Sequence, residues 1–201
     1  KFEAGRAVLD LGKGHAEHLM AVIDTALAQA GIGYPALGRN AVSVGPGSFT
    51  GVRVGVSTAR GLALALKIPA TGISTLEAVA AESRTARPIN VLAAFETVGG
   101  GLQAALYGSD GETLAAPAVI DMAEAVRIAR EYTPMVAGSA ARRIAESSGM
   151  SLKIGSEVCT ADINIFARLC ATKGDGAEKP KPLYLREPDA KPQAGFVLPR
   201  A

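Results

Sequence analysis

Apolar residues recur along this chain with two periods. Within residues 14–30, Ala16, Leu19, Met20, Ile23, Ala26, Leu27 and Ala30 follow i, i+3, i+4 spacing, the stripe of an amphipathic helix. Gly31 and Gly33 end it. Upstream, residues 6–11 (Arg-Ala-Val-Leu-Asp-Leu) predict a strand. Residues 41–44 are a short β-branched run that predicts a buried strand. Residues 52–67 predict a helix that is apolar on most sides, with mainly Arg53, Ser57, Arg60 and Lys67 left for water. Residues 69–73 predict a strand and 75–83 a helix, capped by Ser74 and carrying Glu77 in its first turn. This strand–helix alternation implies a parallel pair.

A second unit opens near Pro88. Residues 89–95, 102–107 and 113–119 read as strands joined by turns at Gly99-Gly100-Gly101 and Ser109-Asp110-Gly111. A helix (122–132), a strand (135–137) and a helix (140–147) follow. Residues 162–173 predict a helix that packs back on the first unit. The expected organisation is a first lobe over 1–86, a second over 87–178 and a proline-rich tail over 179–201, anchored by Leu183-Tyr184-Leu185. Prolines 180, 182, 188, 192 and 199 favour extended chain there.

The 201 residues suffice for one large domain or two small ones, and 48% hydrophobic residues can fill a core. Aromatics are scarce at 4%, which argues against a stacking platform for single-stranded nucleic acid. A net charge of +2 is too mild for an electrostatic nucleic-acid footprint. Lys179, Lys181, Arg186 and Lys191 form the densest basic stretch, but the interleaved prolines make it read as a solvated tail. Cys159 and Cys170 fit no metal motif and give no disulfide framework, so reduced thiols in a cytoplasmic protein are expected. No apolar run approaches the roughly 18–20 residues that span a bilayer, and no signal peptide opens the chain.

The candidate chemistry lies in residues 45–53, Gly-Pro-Gly-Ser-Phe-Thr-Gly-Val-Arg. A glycine-rich turn between strand and helix aims backbone N–H groups and a helix dipole at one spot, where an anion is welcome. Gly45, Gly47 and Ser48 would form the cradle. The turn lacks the Lys-Ser or Lys-Thr of a Walker loop, and Pro46 departs from the dinucleotide fingerprint. The competing reading, a tight turn whose glycines allow close helix–strand packing, stays open.

Residues 45–55 with Ala59-Arg60-Gly61-Leu62-Ala63, the stretch Gly72-Ile73-Ser74-Thr75-Leu76-Glu77-Ala78, the helix opening at 14–19 and the tail motif Pro182-Leu183-Tyr184-Leu185-Arg186 resemble the bacterial TsaB (YeaZ) family. The resemblance covers nearly the whole chain. It implies an α/β actin-like ATPase (ribonuclease H-like) fold of two lobes, with the first lobe incomplete at its N-terminus. Two further strands, roughly 20 residues, would precede residue 6. It also implies a non-catalytic scaffold subunit in the making of N6-threonylcarbamoyladenosine at position 37 of tRNA, paired with the catalytic paralog TsaD and the ATPase TsaE. No cofactor is expected in the isolated subunit, with ATP or ADP only in the assembled complex, and tRNA would be met only through the complex.

One departure bears on activity. The catalytic paralogs carry His-x-x-x-His where this chain has Thr75 and Val79, and valine cannot bind a metal. His15 and His18 are the only histidines. They are spaced to clip a metal weakly, but no third ligand is evident, and they read as part of a helix face. No metal and no catalytic residue is expected. The expected partner face comprises His15, His18, Val22, Gly51, Arg53, Gly55 and Ala59. Small residues at 51, 55 and 59 would admit a partner helix, or a second copy in a two-fold dimer burying on the order of 1,600 Å². The alternative is an ATP-binding enzyme of the same superfold, a small kinase, a hydrolase or a glycopeptidase-like protein, with phosphate at the glycine turn.

Overall fold

The computed structural model describes residues 3–9, 15–84, 88–174 and 179–185. The first helix, α1, spans His15–Ala30. A short 3-10 turn at Tyr34–Ala36 leads to β1 (Asn40–Gly45). Helix α2 (Phe49–Leu66) then carries the chain to β2 (Ala70–Ser74) and α3 (Thr75–Ser83). β1 and β2 pair in parallel, with Ala41 opposite Thr71 and Ser43 opposite Ile73, the pairing that a helical crossover requires. α2 begins three residues earlier than the periodicity predicts. The Ser48 hydroxyl accepts from the Gly51 N–H at 3.4 Å and caps the first turn, so Phe49-Thr50-Gly51 belongs to the helix rather than the turn.

The predicted strand at 6–11 is corrected over the residues described. Residues 6–9 form no ladder with any strand among the described residues. The Arg6 N–H instead donates to Gln29 Oε1 at 3.0 Å, and its guanidinium pairs with Asp162 at 2.6 Å. The rest of that expectation, at 10–11, lies outside the described residues, as does Gly14.

The second sheet runs β3 (Val91–Glu96), β4 (Leu102–Tyr107) and β5 (Thr113–Ile120), then α4 (Met122–Tyr132), β6 (Met135–Ala137) and α5 (Ala141–Ser148). Its strand order is β5-β4-β3-β6, with hairpins on one side of β3 and a parallel neighbour on the other. β3 is apolar at every position from 91 to 95, so both of its faces must be covered. Leu92 and Ala94 pack with Leu102, Leu106, Ile128 and Ile144 on the α4–α5 side. Val91, Ala93 and Phe95 pack with Ile73, Leu76, Val79 and Phe166 on the other. That second cluster joins the two sheets through α3, whose Leu76, Ala78, Val79 and Ala80 are all 0% exposed.

Helix α6 (Ile163–Thr172), capped by the Asp162 carboxylate, packs on β1, β2 and α3. Lys173 Nζ reaches Glu77 at 2.9 Å, and Arg39 donates to the carbonyls of Cys170 and Lys173. Over 179–185 the tail is anchored by its apolar residues, while the basic Lys179 and Lys181 are exposed to solvent. Pro180 is buried, the Leu183 N–H donates to the Val44 carbonyl at 2.8 Å, and Leu185 packs against the shared core. Arg186 and Lys191 lie outside the described residues.

Candidate functional site

The glycine turn sits between β1 and α2 as its sequence requires. Gly45 takes φ +96°, a left-handed conformation that disfavours a side chain, and the Gly45–Pro46 peptide is cis. Gly45 and Pro46 are buried, whereas Gly47 and Ser48 are exposed. Two helix donors aimed at this spot are already satisfied from within: the Gly51 N–H by Ser48 Oγ, and the Val52 N–H by the Ser48 carbonyl at 2.9 Å. The tail lies across the turn. The Leu183 carbonyl oxygen comes within 3.5 Å of where a Gly45 Cβ would stand. A carbonyl presents its negative end, so a phosphate arriving here would have to displace the tail.

The tail is held by a contact that no local pattern announces. The Arg53 guanidinium stacks 3.8 Å from the Phe49 ring centroid, and Arg53 Nε donates to the Tyr184 hydroxyl at 2.7 Å. The Phe49 and Tyr184 rings lie 5.3 Å apart. Cation–π and aromatic contacts of this kind each contribute on the order of 0.5–1.5 kcal/mol. Arg53 and Tyr184 are 131 residues apart in sequence, beyond the reach of any periodicity argument.

The expected partner residues divide. His18 and Gly51 are exposed and Val22 is half-buried, while the His15 side chain lies outside the described set. Arg53 is exposed but engaged by the tail. Gly55 and Ala59 do not face outward, which corrects the reason given for the small-residue stripe. A Cβ at Gly55 would meet Val42 Cγ2 at 3.4 Å. Ala59 is 7% exposed, and its carbonyl accepts from Asn40 Nδ2 at 3.0 Å. These small residues let α2 lie close on its own strand. Gly55→Leu is therefore expected to cost the chain itself about 1–3 kcal/mol by overpacking. Gly51→Ala, where a Cβ meets only the Ser48 side chain at 3.5 Å, is expected to leave the melting temperature unchanged or higher. Thermal melts of the two variants check this.

Thr75 and Val79 are interior. Thr75 is 4% exposed and its hydroxyl pairs with Ser43 Oγ at 3.0 Å, while Val79 is 0% exposed in the shared core. Below them Tyr107, 3% exposed, sits beside Ser74 and near Glu77. Burial, with the Glu77 charge adding to it, pushes the Tyr107 phenol well above its ordinary range. Because the folded value is raised, the neutral phenol's contribution is fully present below about pH 10, the unfolded value. It is lost as pH rises toward the folded value, at a limiting slope of about 1.4 kcal/mol per pH unit. Urea melts above pH 10 are expected to show that slope, and Tyr107→Phe to flatten it. Among the described residues, no cluster of three or more His, Cys, Asp or Glu is placed to hold a metal ion. Cys159 is exposed, Cys170 is buried, and both are free. No helix among the described residues is long and apolar enough to cross a membrane.

A parallel β-α-β unit joined through a buried helix to a hairpin sheet with a parallel fourth strand defines a mixed α/β protein of the actin-like, ribonuclease H-like class. YeaZ from Pseudomonas aeruginosa superposes with a TM-score of 0.68 at 24% identity, covering 89% of this chain and 92% of that one. The family model described as TsaD, tRNA N6-adenosine threonylcarbamoyltransferase, matches residues 10–165. The chain belongs to that family, on its TsaB (YeaZ) branch. It is 27% identical over 187 residues to the tRNA threonylcarbamoyladenosine biosynthesis protein TsaB of Escherichia coli (strain K12), covering 86% of this chain and 80% of that protein. The TsaB of Haemophilus influenzae is 41% identical over 83 residues, which is 41% of this chain and 35% of that protein.

Proposed function

We propose that this chain is a non-catalytic subunit in the making of N6-threonylcarbamoyladenosine in tRNA, docked in the cytoplasm on a TsaD-type catalytic chain with the ATPase TsaE. The observation that carries the reading is Val79. At a position where the catalytic relatives present a histidine, this chain has a fully buried valine inside its shared core. Thr75, at the other such position, spends its hydroxyl on Ser43. The tail across the glycine turn supports the same conclusion, since it covers the spot where a phosphate would sit. The isolated subunit then needs no cofactor, ATP or ADP belongs to the assembled complex, and tRNA is reached through the complex.

The docking face is the exposed side of α1 with the first turns of α2, where His18, Met20, Phe49 and Gly51 are exposed. Without the partner, the same face pairs with a second copy. Gly51→Glu places a charge there with room for its Cβ. It is expected to keep the wild-type melting temperature and to weaken co-purification with TsaD at least tenfold. Undiminished binding by a folded Gly51→Glu variant would remove this face from the interface. Micromolar ATP binding with turnover by the chain alone would instead favour an ATP-binding enzyme.

A further inference from the structure

A cavity lies at the far end of α2, away from the glycine turn. It measures about 610 Å³ and is formed by the last two turns of α2, the start of β2 and the tail. That size falls within the range of small-molecule sites, roughly 300–1,000 Å³. Three cations line it, Arg60 and Lys67 from α2 and Lys179 from the tail, and no acidic residue does. None of the three has an ion-pair partner among the described residues. Apolar surface from Leu64, Ile68 and Pro180 completes the walls, and Leu64 is 83% exposed.

Like charges brought to one cavity from positions 60, 67 and 179 repel one another, and no acidic residue among the described lining offsets them. A lysine at the end of a helix does complement the dipole, but the dipole amounts to about half a charge and needs one cation, not three. Two further features concern the same walls. Lys67 holds a left-handed backbone at φ 57°, where a glycine would be less strained. Gly61 stands mid-helix in the lining, where alanine would stabilise the helix, yet a Cβ there would meet nothing within 4 Å.

We propose that this cavity binds a small, multiply charged anion with an apolar body, of the phosphate or sulfonate class, gripped by Arg60, Lys67 and Lys179 over Leu64 and Pro180. The site is separate from the proposed docking face and does not depend on it. The probe is pyranine, a fluorescent pyrene bearing three sulfonates, titrated into the whole chain and displaced by inorganic pyrophosphate. Arg60→Gln combined with Lys67→Gln is expected to weaken pyranine at least tenfold, and Leu64→Asn severalfold. Lys179→Gln lies on the tail, leaves the helix untouched and is expected to weaken it at least threefold. Gly61→Ala is expected to raise the melting temperature while weakening the dye. The charge-matched control Arg130→Gln combined with Lys153→Gln is expected to leave binding unchanged. Equal loss in the control, or unchanged binding in folded cavity variants, would overturn the proposal. So would displacement by tRNA but not by pyrophosphate, or a double variant that loses TsaD yet keeps the dye.

Discussion

Val79→His combined with Thr75→His is expected to destabilise the chain strongly rather than to give it a metal site. The pair recreates the histidine spacing of the catalytic relatives, but both positions are interior, at 0% and 4% exposed. An imidazole at 79 would enter the apolar cluster that includes Ile73, Leu76, Val91 and Phe166, and the Ser83 hydroxyl nearby is already given to the residue-79 carbonyl at 2.8 Å. Burying it unpaired costs roughly 2–5 kcal/mol, and its extra volume adds strain. Replacing Thr75 also breaks the 3.0 Å contact with Ser43. For a chain of this size, about 3–5 kcal/mol lowers the melting temperature by about 6–20 °C. Thermal melts with and without zinc check the point. A variant that stays folded and gains stability from the metal would show that the two positions can present ligands to a metal after all.

Gly72→Val carries the second large effect. Gly72 lies in β2 between β1 and the tail. A Cβ there would stand 2.6 Å from Val44 Cγ1 and 3.3 Å from Pro180 Cβ. Val44 belongs to the paired strand and Pro180 is buried, so neither side can give way cheaply. The expected cost is about 2–3 kcal/mol, with the tail lifted from the turn. Lifting it undoes the Leu183–Val44 hydrogen bond and the Arg53–Tyr184 contact. Limited chymotrypsin digestion should then cut after Tyr184 much faster than in the wild type. An equal cleavage rate would mean that the tail is held by Leu185 alone.

The alternation of strands and helices could be read from the sequence because each element announces itself locally. Ser74 caps α3 where a cap residue precedes an apolar run, and β3 is apolar on both faces because it is covered on both. The direction of the α2 stripe could not be read. Periodicity shows that Gly51, Gly55 and Ala59 share a side of the helix, but not whether a partner or the chain's own β1 lies against it. The chain's own strand takes Gly55 and Ala59. The Phe49–Arg53–Tyr184 stack and the gathering of Arg60, Lys67 and Lys179 were likewise hidden, because each joins α2 to a tail more than a hundred residues away. The strand expected at 6–11 had the right composition, but a strand is made by its neighbour.

The central claim is that a fold of the nucleotide-handling class serves here as a partner rather than a catalyst. The most direct measurement is threonylcarbamoylation of tRNA by purified TsaD and TsaE, with and without this chain, beside the chain on its own. The account predicts no turnover by the chain alone and a rise in the TsaD reaction of at least tenfold when it is added. Modified tRNA formed by the chain without TsaD, or a TsaD reaction indifferent to it, would contradict the account.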